Sequence, residues 1–257
     1  MEVTVEKRKV ISRPGSGRRK ADSPQLPPIS PDESLSIERR VYTALRMALM
    51  VGSVAPGQGL SSRSLSAALG VSPTPVREAL KRLEADGALI SKNKSAFFVN
   101  DPDQADFAEI LEVRINLEGL AIRAAARHAR ERDLVALRRL NSKYERMLAA
   151  EAVGGTRSLV PNFEFHFEIY KLSGSRTLVN MIETLWLRIG PTLHRYVATH
   201  HDKAVRANFH TYILTALACH DEDSAARALQ GDLRAAADEI MPQLRPRAHT
   251  VSLLRPR

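Results

Sequence analysis

The sequence predicts a mainly α-helical protein: an N-terminal winged helix-turn-helix followed by an antiparallel all-helical bundle. Three observations carry that expectation. Residues 34–100 hold three short helical stretches and then two β-prone runs around a polar tip, whereas residues 103–244 show helical periodicity alone. The 257-residue chain is long enough for two ordinary domains, and its 44% hydrophobic content excludes disorder throughout.

Residues 1–33 carry Pro14, Pro24, Pro27, Pro28 and Pro31 among basic clusters and lack apolar periodicity, so they read as a flexible basic tail. Such a tail is either a solvated extension or a source of extra phosphate contacts. From Ser34 to Val51, Leu35, Ile37, Val41, Leu45, Ala48 and Leu49 recur at helical spacing until Gly52 ends the helix. A turn at Pro56-Gly57 leads to a short helix, Ser61 to Gly70, with serine at its start and glycine at its stop. Val71-Ser72 links it to a third helix that Ser72 caps, that tolerates Pro73 and Pro75 in its first turn, and that runs to Asp86-Gly87. Ala88-Leu89-Ile90 and Phe97-Phe98-Val99 then bracket Ser91 to Ser95 as a β-hairpin, the wing.

Asn100-Asp101-Pro102 marks the domain boundary. Six helices follow in residues 103–244, interrupted at Glu131-Arg132-Asp133, Gly154-Gly155, Ser173-Gly174-Ser175, His200 to Lys203 and His220 to Asp223. Residues 245–257 read as a C-terminal tail.

Charge is divided unevenly between these parts. Residues 1–100 hold 16 Lys+Arg against 9 Asp+Glu, a net of +7, while residues 101–257 hold 22 against 20, a net of +2. A basic head on a near-neutral body suits a protein whose first domain meets a polyanion, nucleic acid ahead of a membrane surface. The single cysteine, Cys219, excludes an internal disulfide and a multi-cysteine zinc site, and reads as an inert small hydrophobe. The N-terminus has no apolar signal core and no stretch approaches a membrane span, so a cytoplasmic protein, neither secreted nor membrane-spanning, is expected.

In the third helix Val76, Ala79, Leu80 and Leu83 form an inward stripe, which leaves Thr74, Arg77 and Lys81 on an outward face. A solvated face is the usual fate of such residues. The order of short helix, tight turn, basic helix and basic hairpin supports the sharper reading, in which Arg77 grips guanine O6 and N7 in the major groove. Ser72, Thr74 and Arg63 are then placed for phosphates or base edges, and Lys92 and Lys94 reach the backbone or minor groove from the wing.

The run Leu69-Gly70-Val71-Ser72-Pro73-Thr74-Pro75-Val76-Arg77-Glu78-Ala79-Leu80-Lys81-Arg82-Leu83-Glu84-Ala85-Asp86-Gly87 resembles the signature of the GntR family of bacterial transcription regulators. The resemblance covers about residues 35–100 and implies DNA contacts from the positions of Arg63, Ser72, Thr74, Arg77 and the wing. Two positions depart from the family pattern: Pro73 replaces a further arginine and Ser95 replaces a wing-tip glycine.

In the second domain the informative residues are polar groups on apolar stripes, where burial without a partner is costly. Asn162 and His166 share a helix side, His210 lies with Ile213, Leu214 and Leu217, and Asp232 falls among Leu229, Leu233, Ala236 and Ile240. Two imidazoles, a carboxylate and an amide form a mixed N/O set for zinc, nickel or manganese; the alternative is core histidines satisfied by their neighbours. An all-helical domain behind such a head resembles the FCD-type effector domain of the FadR subfamily. In many of its members an Asp, a His four residues later and two further His bind a metal. The matching positions here are Asn162, His166, His210 and Asp232, with Asp changed to Asn and one His to Asp.

Arg114 lies on the stripe of Phe107, Ile110, Leu111, Leu117 and Ala121, with Glu118 one turn on. It reads either as an ion pair at the stripe edge or, as the resemblance implies, as a guanidinium that forks onto the carboxylate of a small organic acid. His194, His200, His201 and His220 lie near helix ends, where capping or solvation is the ordinary role, and His194 is also a candidate for the pocket wall. The expectation is therefore a homodimeric regulator, a repressor by family habit, that binds double-stranded palindromic operator DNA and responds to an organic-acid effector. The rivals are a metal-dependent enzyme with a DNA-binding appendage, for which only Glu164 and Glu168 are near, and a nonspecific architectural DNA binder.

Overall fold

A computed structural model describes residues 26–92, 96–150, 156–195 and 203–246, with side chains described from residue 208 onward in the last stretch. Lys94, Ser95, Gly154, Gly155, His200 and His201 lie outside the described residues.

The head begins before its first helix, because Leu26 and Ile29 pack against the core and the Arg40 Nε donates to the Ser30 carbonyl at 2.5 Å. Helix α1 (Ile37–Met50) starts where the Ser36 hydroxyl accepts from the Arg39 amide, which sets its first turn three residues later than periodicity alone suggests. Helix α2 (Ser62–Leu69) is capped in the same way, the Ser61 hydroxyl accepting from the Ser64 amide, and ends at Gly70 in a left-handed conformation. Helix α3 (Pro73–Ala85) buries Val76, Ala79, Leu80 and Leu83 against α1 and α2.

The wing comprises β2 (Leu89–Lys92) and β3 (Ala96–Val99), antiparallel, with Leu89 opposite Val99 and Lys92 opposite Ala96. A two-residue strand β1 (Gly59–Leu60) pairs with the other side of β3 and makes the sheet order β1-β3-β2. It carries too few residues to show alternation.

The bundle is built from α4 (Gln104–His128), α5 (Glu131–Ala150), α6 (Leu159–Lys171), α7 (Arg176–Ile189), α8 (Lys203–Ala218) and α9 (Glu222–Ile240). Helix α9 lies along α4 and α8, α5 along α6 and α8, and α4 also packs on α6 and α7. Glu131-Arg132-Asp133, expected as an interruption, instead forms the first turn of α5, whose acidic residues face the amide end of the helix dipole. Gly231 permits the close approach of α9 to α8: a Cβ there would come within 2.4 Å of the Phe209 ring.

A break missing from the sequence reading follows α7. Residues Gly190–Thr192 form a 3-10 turn against the end of α1, so close that a Cβ on Gly190 would lie 2.6 Å from the Leu49 carbonyl oxygen. Pro191 adds the loss of a helix-forming amide. This turn, together with the ion pair between Arg46 and Glu183 at 2.8 Å, joins head and bundle, and apolar residues of both belong to one core. Asp101, at the boundary between them, is held by Arg195 at 2.7 Å.

Candidate functional site

The head presents its polar residues outward. Arg63 on α2 and Ser72, Thr74, Arg77 and Lys81 at and along α3 are all exposed. Ser72 occupies the cap position of α3 but its hydroxyl makes no capping hydrogen bond, a correction to its expected role. Pro75, the third residue of the helix, carries no amide hydrogen, which removes one of the two donors such a cap can use. Glu78 pairs with Lys81 at 3.0 Å and lies 3.9 Å from Arg77, whose side chain remains 58% exposed, so this face is hydrated and able to exchange partners. Lys92 is exposed on the wing, with its ammonium 4.9 Å from the centre of the Phe98 ring.

The bundle does the opposite and gathers polar groups inside. His166 of α6, His210 of α8 and Asp232 of α9 bring ligand atoms within 4.8 Å of one another. His210 is fully buried, stacked on Phe165 with ring centres 4.1 Å apart. The Asn141 amide nitrogen donates to Glu145, so its oxygen accepts from His210 Nδ1 at 2.9 Å and the imidazole carries its proton there. Burial pushes the His210 pKa down to about 3, keeping the ring neutral, and its Nε2 lone pair is buried with no hydrogen-bond partner.

His166 is arranged in parallel. Its Nε2 lies 3.2 Å from the Asp232 carboxylate and its Nδ1 3.3 Å from the Tyr170 hydroxyl. Burial and the adjacent Glu118 push the Tyr170 pKa well above the usual phenol value, so the hydroxyl stays protonated and donates to Glu118. The Tyr170 oxygen then accepts from His166 Nδ1, which leaves Nε2 facing the carboxylate, where a proton shared between them, or a cation in its place, makes the contact favourable. Burial opposes ionisation of Asp232, but the hydrogen bond from His166, followed by the charges of His166, His210 and Arg114, outweighs it and holds its pKa below the ordinary carboxyl value. Two lone pairs and a carboxylate oxygen that converge, each imidazole fixed from behind by an Asn or Tyr, are a donor set that fits a divalent cation. Asn162, one turn before His166, lines the same chamber.

Arg114 lines this chamber as well. Its Nε donates to Glu118 at 2.7 Å and its guanidinium carbon sits 4.6 Å from the centre of the Trp186 ring. Glu118, 0% exposed, also accepts from Trp186 Nε1 at 2.9 Å, so the ion pair is an interior network and not a stripe-edge pair.

Comparison with known proteins places both halves. The pattern of bacterial regulatory proteins of the gntR family matches residues 37–99, and that of the FCD domain matches residues 109–235. The HTH-type transcriptional regulator McbR of Escherichia coli (strain K12) is 32% identical over 198 residues, covering 76% of this chain and 88% of the relative. The chain belongs to the GntR family. Its fold matches the solved structure of E. coli McbR/YncC with a TM-score of 0.76 at 29% identity, over 81% of this chain and 99% of that one. A further relative, the HTH-type transcriptional repressor RspR of the same organism, is 24% identical over 223 residues, covering 84% of this chain and 92% of the relative. This GntR protein is a DNA-binding transcriptional regulator with an FCD effector domain, not an enzyme. Glu164 and Glu168, the carboxylates nearest His166 in sequence, make surface ion pairs with Lys143 at 2.9 Å and Lys171 at 2.6 Å.

One expected pocket residue lies elsewhere in this regulator. His194 does not line the chamber; its Nδ1 is 3.4 Å from the Gly52 carbonyl at the joint with the head. The 3-10 turn at Gly190–Thr192, packed on the end of α1, lies between α7 and His194. Three residues of the site were missed. Tyr170 reads as plain core and no pattern marks Trp186, but Asn141 had the signal used elsewhere, a polar residue on the stripe Leu134, Leu137, Tyr144 and Leu148.

Proposed function

We propose that the regulator acts as a homodimeric repressor of palindromic operator DNA, released by a small organic acid that binds beside a divalent metal in the bundle. The observation that carries this reading is the unpartnered, buried Nε2 of His210 beside His166 and Asp232, two residues that line a chamber with Arg114. His166, His210 and Asp232, with Asn162 as a weaker oxygen donor, would hold zinc, nickel or manganese. The ion would supply a Lewis-acid anchor for a carboxylate, and Arg114 a second positive contact. Arg63, Ser72, Thr74, Arg77, Lys81, Lys92 and Lys94 would meet the DNA, Arg77 reading guanine and the others mostly phosphates.

The two-fold partner is a second copy of the chain. Val113 and Leu120 are 43% and 55% exposed one heptad apart on α4, and Met181 on the neighbouring α7 is 50% exposed. This apolar face is a surface that a symmetric dimer would cover. A repressing sign is supported by the name of RspR. No helix among the described residues is long and apolar enough to cross a membrane, which suits a cytoplasmic protein that sits on the nucleoid when operator-bound.

The test is selection of a preferred sequence from random duplexes by the full chain, followed by affinity measurement at one fixed salt concentration. A palindrome bound roughly a thousandfold or more tighter than a scrambled duplex is expected, and Arg77→Ala should erode that ratio by about tenfold or more. Equal losses on palindrome and scrambled DNA would reduce the head to a nonspecific binder.

A further inference from the structure

More than half of the head's excess charge precedes its packed part. Residues 1–25 hold seven Lys+Arg against three Asp+Glu, a net of +4, whereas residues 26–100 hold nine against six, a net of +3. Several cations of the packed part are also committed to partners. Arg46 pairs with Glu183 of the bundle, Arg40 donates to the Ser30 carbonyl, and Lys81 pairs with Glu78. Six of the seven cations of residues 1–25 form two clusters, Lys7-Arg8-Lys9 and Arg18-Arg19-Lys20, in a stretch that lies outside the described residues.

The chain directly after them is held in place. Residues 26–31 have no regular structure, yet Leu26 and Ile29 pack against the core and Arg40 Nε ties the Ser30 carbonyl to α1. Pro27, Pro28 and Pro31 fix φ in this strap, so little further backbone freedom is lost in holding it there. Leu26 to Ile29 wall one groove together with Leu69, Gly70 and Val71, the turn from α2 into α3. The exposed Ser72 and Thr74 follow that turn directly. The strap therefore delivers the preceding chain beside the end of α3 that meets DNA.

We propose that the basic clusters of residues 7–20 are a second DNA-binding element, an arm that the strap directs along the phosphate backbone flanking each half-site. These contacts lie beyond those of α2, α3 and the wing. Six residues separate Lys20 from Leu26 and eight separate Arg18 from it. An extended chain of that length spans about 20–30 Å, less than the roughly 34 Å of one DNA helical turn. Lys and Arg interrupted by Gly15, Ser16 and Gly17 supply charge without a fixed face for base edges, so the arm meets phosphates and adds affinity without sequence preference.

The experiment compares full-length wild type with Arg18→Gln/Arg19→Gln/Lys20→Gln on a random-sequence duplex of about 40 base pairs, across a salt series. The salt slope of log affinity should be smaller in the variant by up to about 2.7 per bound chain, 0.9 for each of three lost phosphate contacts. Between about 50 and 200 mM salt the wild-type advantage should shrink by up to about fortyfold. On the selected operator, wild type should bind at least about tenfold tighter when about 15 base pairs are added on each side, and the variant should lose most of that gain. Leu26→Ser/Ile29→Ser keeps every charge but lengthens the tether of Lys20 from six residues to sixteen, counted to the Ser36 cap, so the flank gain should fall roughly fourfold. If this variant fails to fold, the glutamine variant, altered only ahead of the strap, still decides. An unchanged slope or an undiminished flank gain in the glutamine variant would overturn the proposal. Tight binding of phosphatidylserine vesicles with no flank gain on DNA would overturn it too, and assign the clusters to a membrane surface. The slope on random duplex needs no operator, so failure of the palindrome reading and failure of the arm are separate results.

Discussion

The two halves of the regulator place their functional polar groups on opposite sides of the same kind of apolar core. In the head, Arg77 and Lys81 are more than half exposed and their partner Glu78 is 43% exposed, so each group acts almost alone and water screens it. In the bundle, Glu118, Arg114, Tyr170, His166 and His210 are all buried and linked through hydrogen bonds or ring contacts, so no one of them can change without disturbing the next. The contrast teaches where function should be separable from folding: in the head, losing a side chain should cost DNA affinity and spare stability, whereas in the bundle it should cost both.

The largest effect should come from the centre of the buried network. Glu118→Ala leaves the Arg114 guanidinium buried without its ion-pair partner and removes the acceptor for Trp186 and Tyr170. Urea unfolding should report a loss of about 3–5 kcal/mol, much of it recovered by adding Arg114→Leu. Unchanged stability in the single variant would mean that the interior network is not coupled as the distances imply. Next comes the joint, where Gly190→Ala forces a Cβ against the backbone of Leu49 and Met50. A cost of about 1–3 kcal/mol is expected, together with easier proteolysis between the domains. A silent substitution there would argue that the head moves freely on the bundle.

His210 sharpens the comparison through pH. Its folded pKa of about 3 lies below the unfolded value of 6.5, so the unfolded chain takes up the proton first. The associated stability is present above pH 6.5 and lost as pH falls from there toward about 3, at up to about 1.4 kcal/mol per unit. In chelator-treated protein, His210→Gln should flatten that dependence between pH 7 and pH 5; an identical slope would place the titrating group elsewhere. The smallest effect belongs to the exposed face. Lys81→Ala removes the 3.0 Å pair with Glu78 and should change stability by less than about 0.5 kcal/mol, while weakening DNA binding and reducing its salt dependence by about one phosphate contact.

How much of this was legible in the sequence follows the same division. The helices of the head were readable to within a few residues, because the Ser61 cap, the Gly70 stop and the proline-bearing start of α3 are local signals, whereas Leu26 and Ile29, read as part of the tail, pack on its core. Strand β1 escaped because two residues carry no pattern. In the bundle, polar residues on apolar stripes marked Asn162, His166, His210 and Asp232, and the stripe position of Arg114 marked the chamber. What the stripes do not encode is which groups meet: that Tyr170 and Trp186 both turn onto Glu118, or that Gly231 lets α9 close on α8 beside Asp232. His194, near a helix end in the sequence as in the fold, meets the Gly52 carbonyl instead of the chamber, a contact with a residue far away in the chain that no local pattern encodes.

The claim on which the account turns is that His166, His210 and Asp232 hold a divalent cation. Elemental analysis of protein purified without chelators, paired with native mass spectrometry of wild type and His210→Ala, tests it most directly. The account predicts a dimer with close to one zinc, nickel or manganese ion per chain, absent from the variant. A metal-free wild-type dimer that takes up none of these ions when they are added would contradict it, and would leave Arg114 as the anchor of a purely organic ligand.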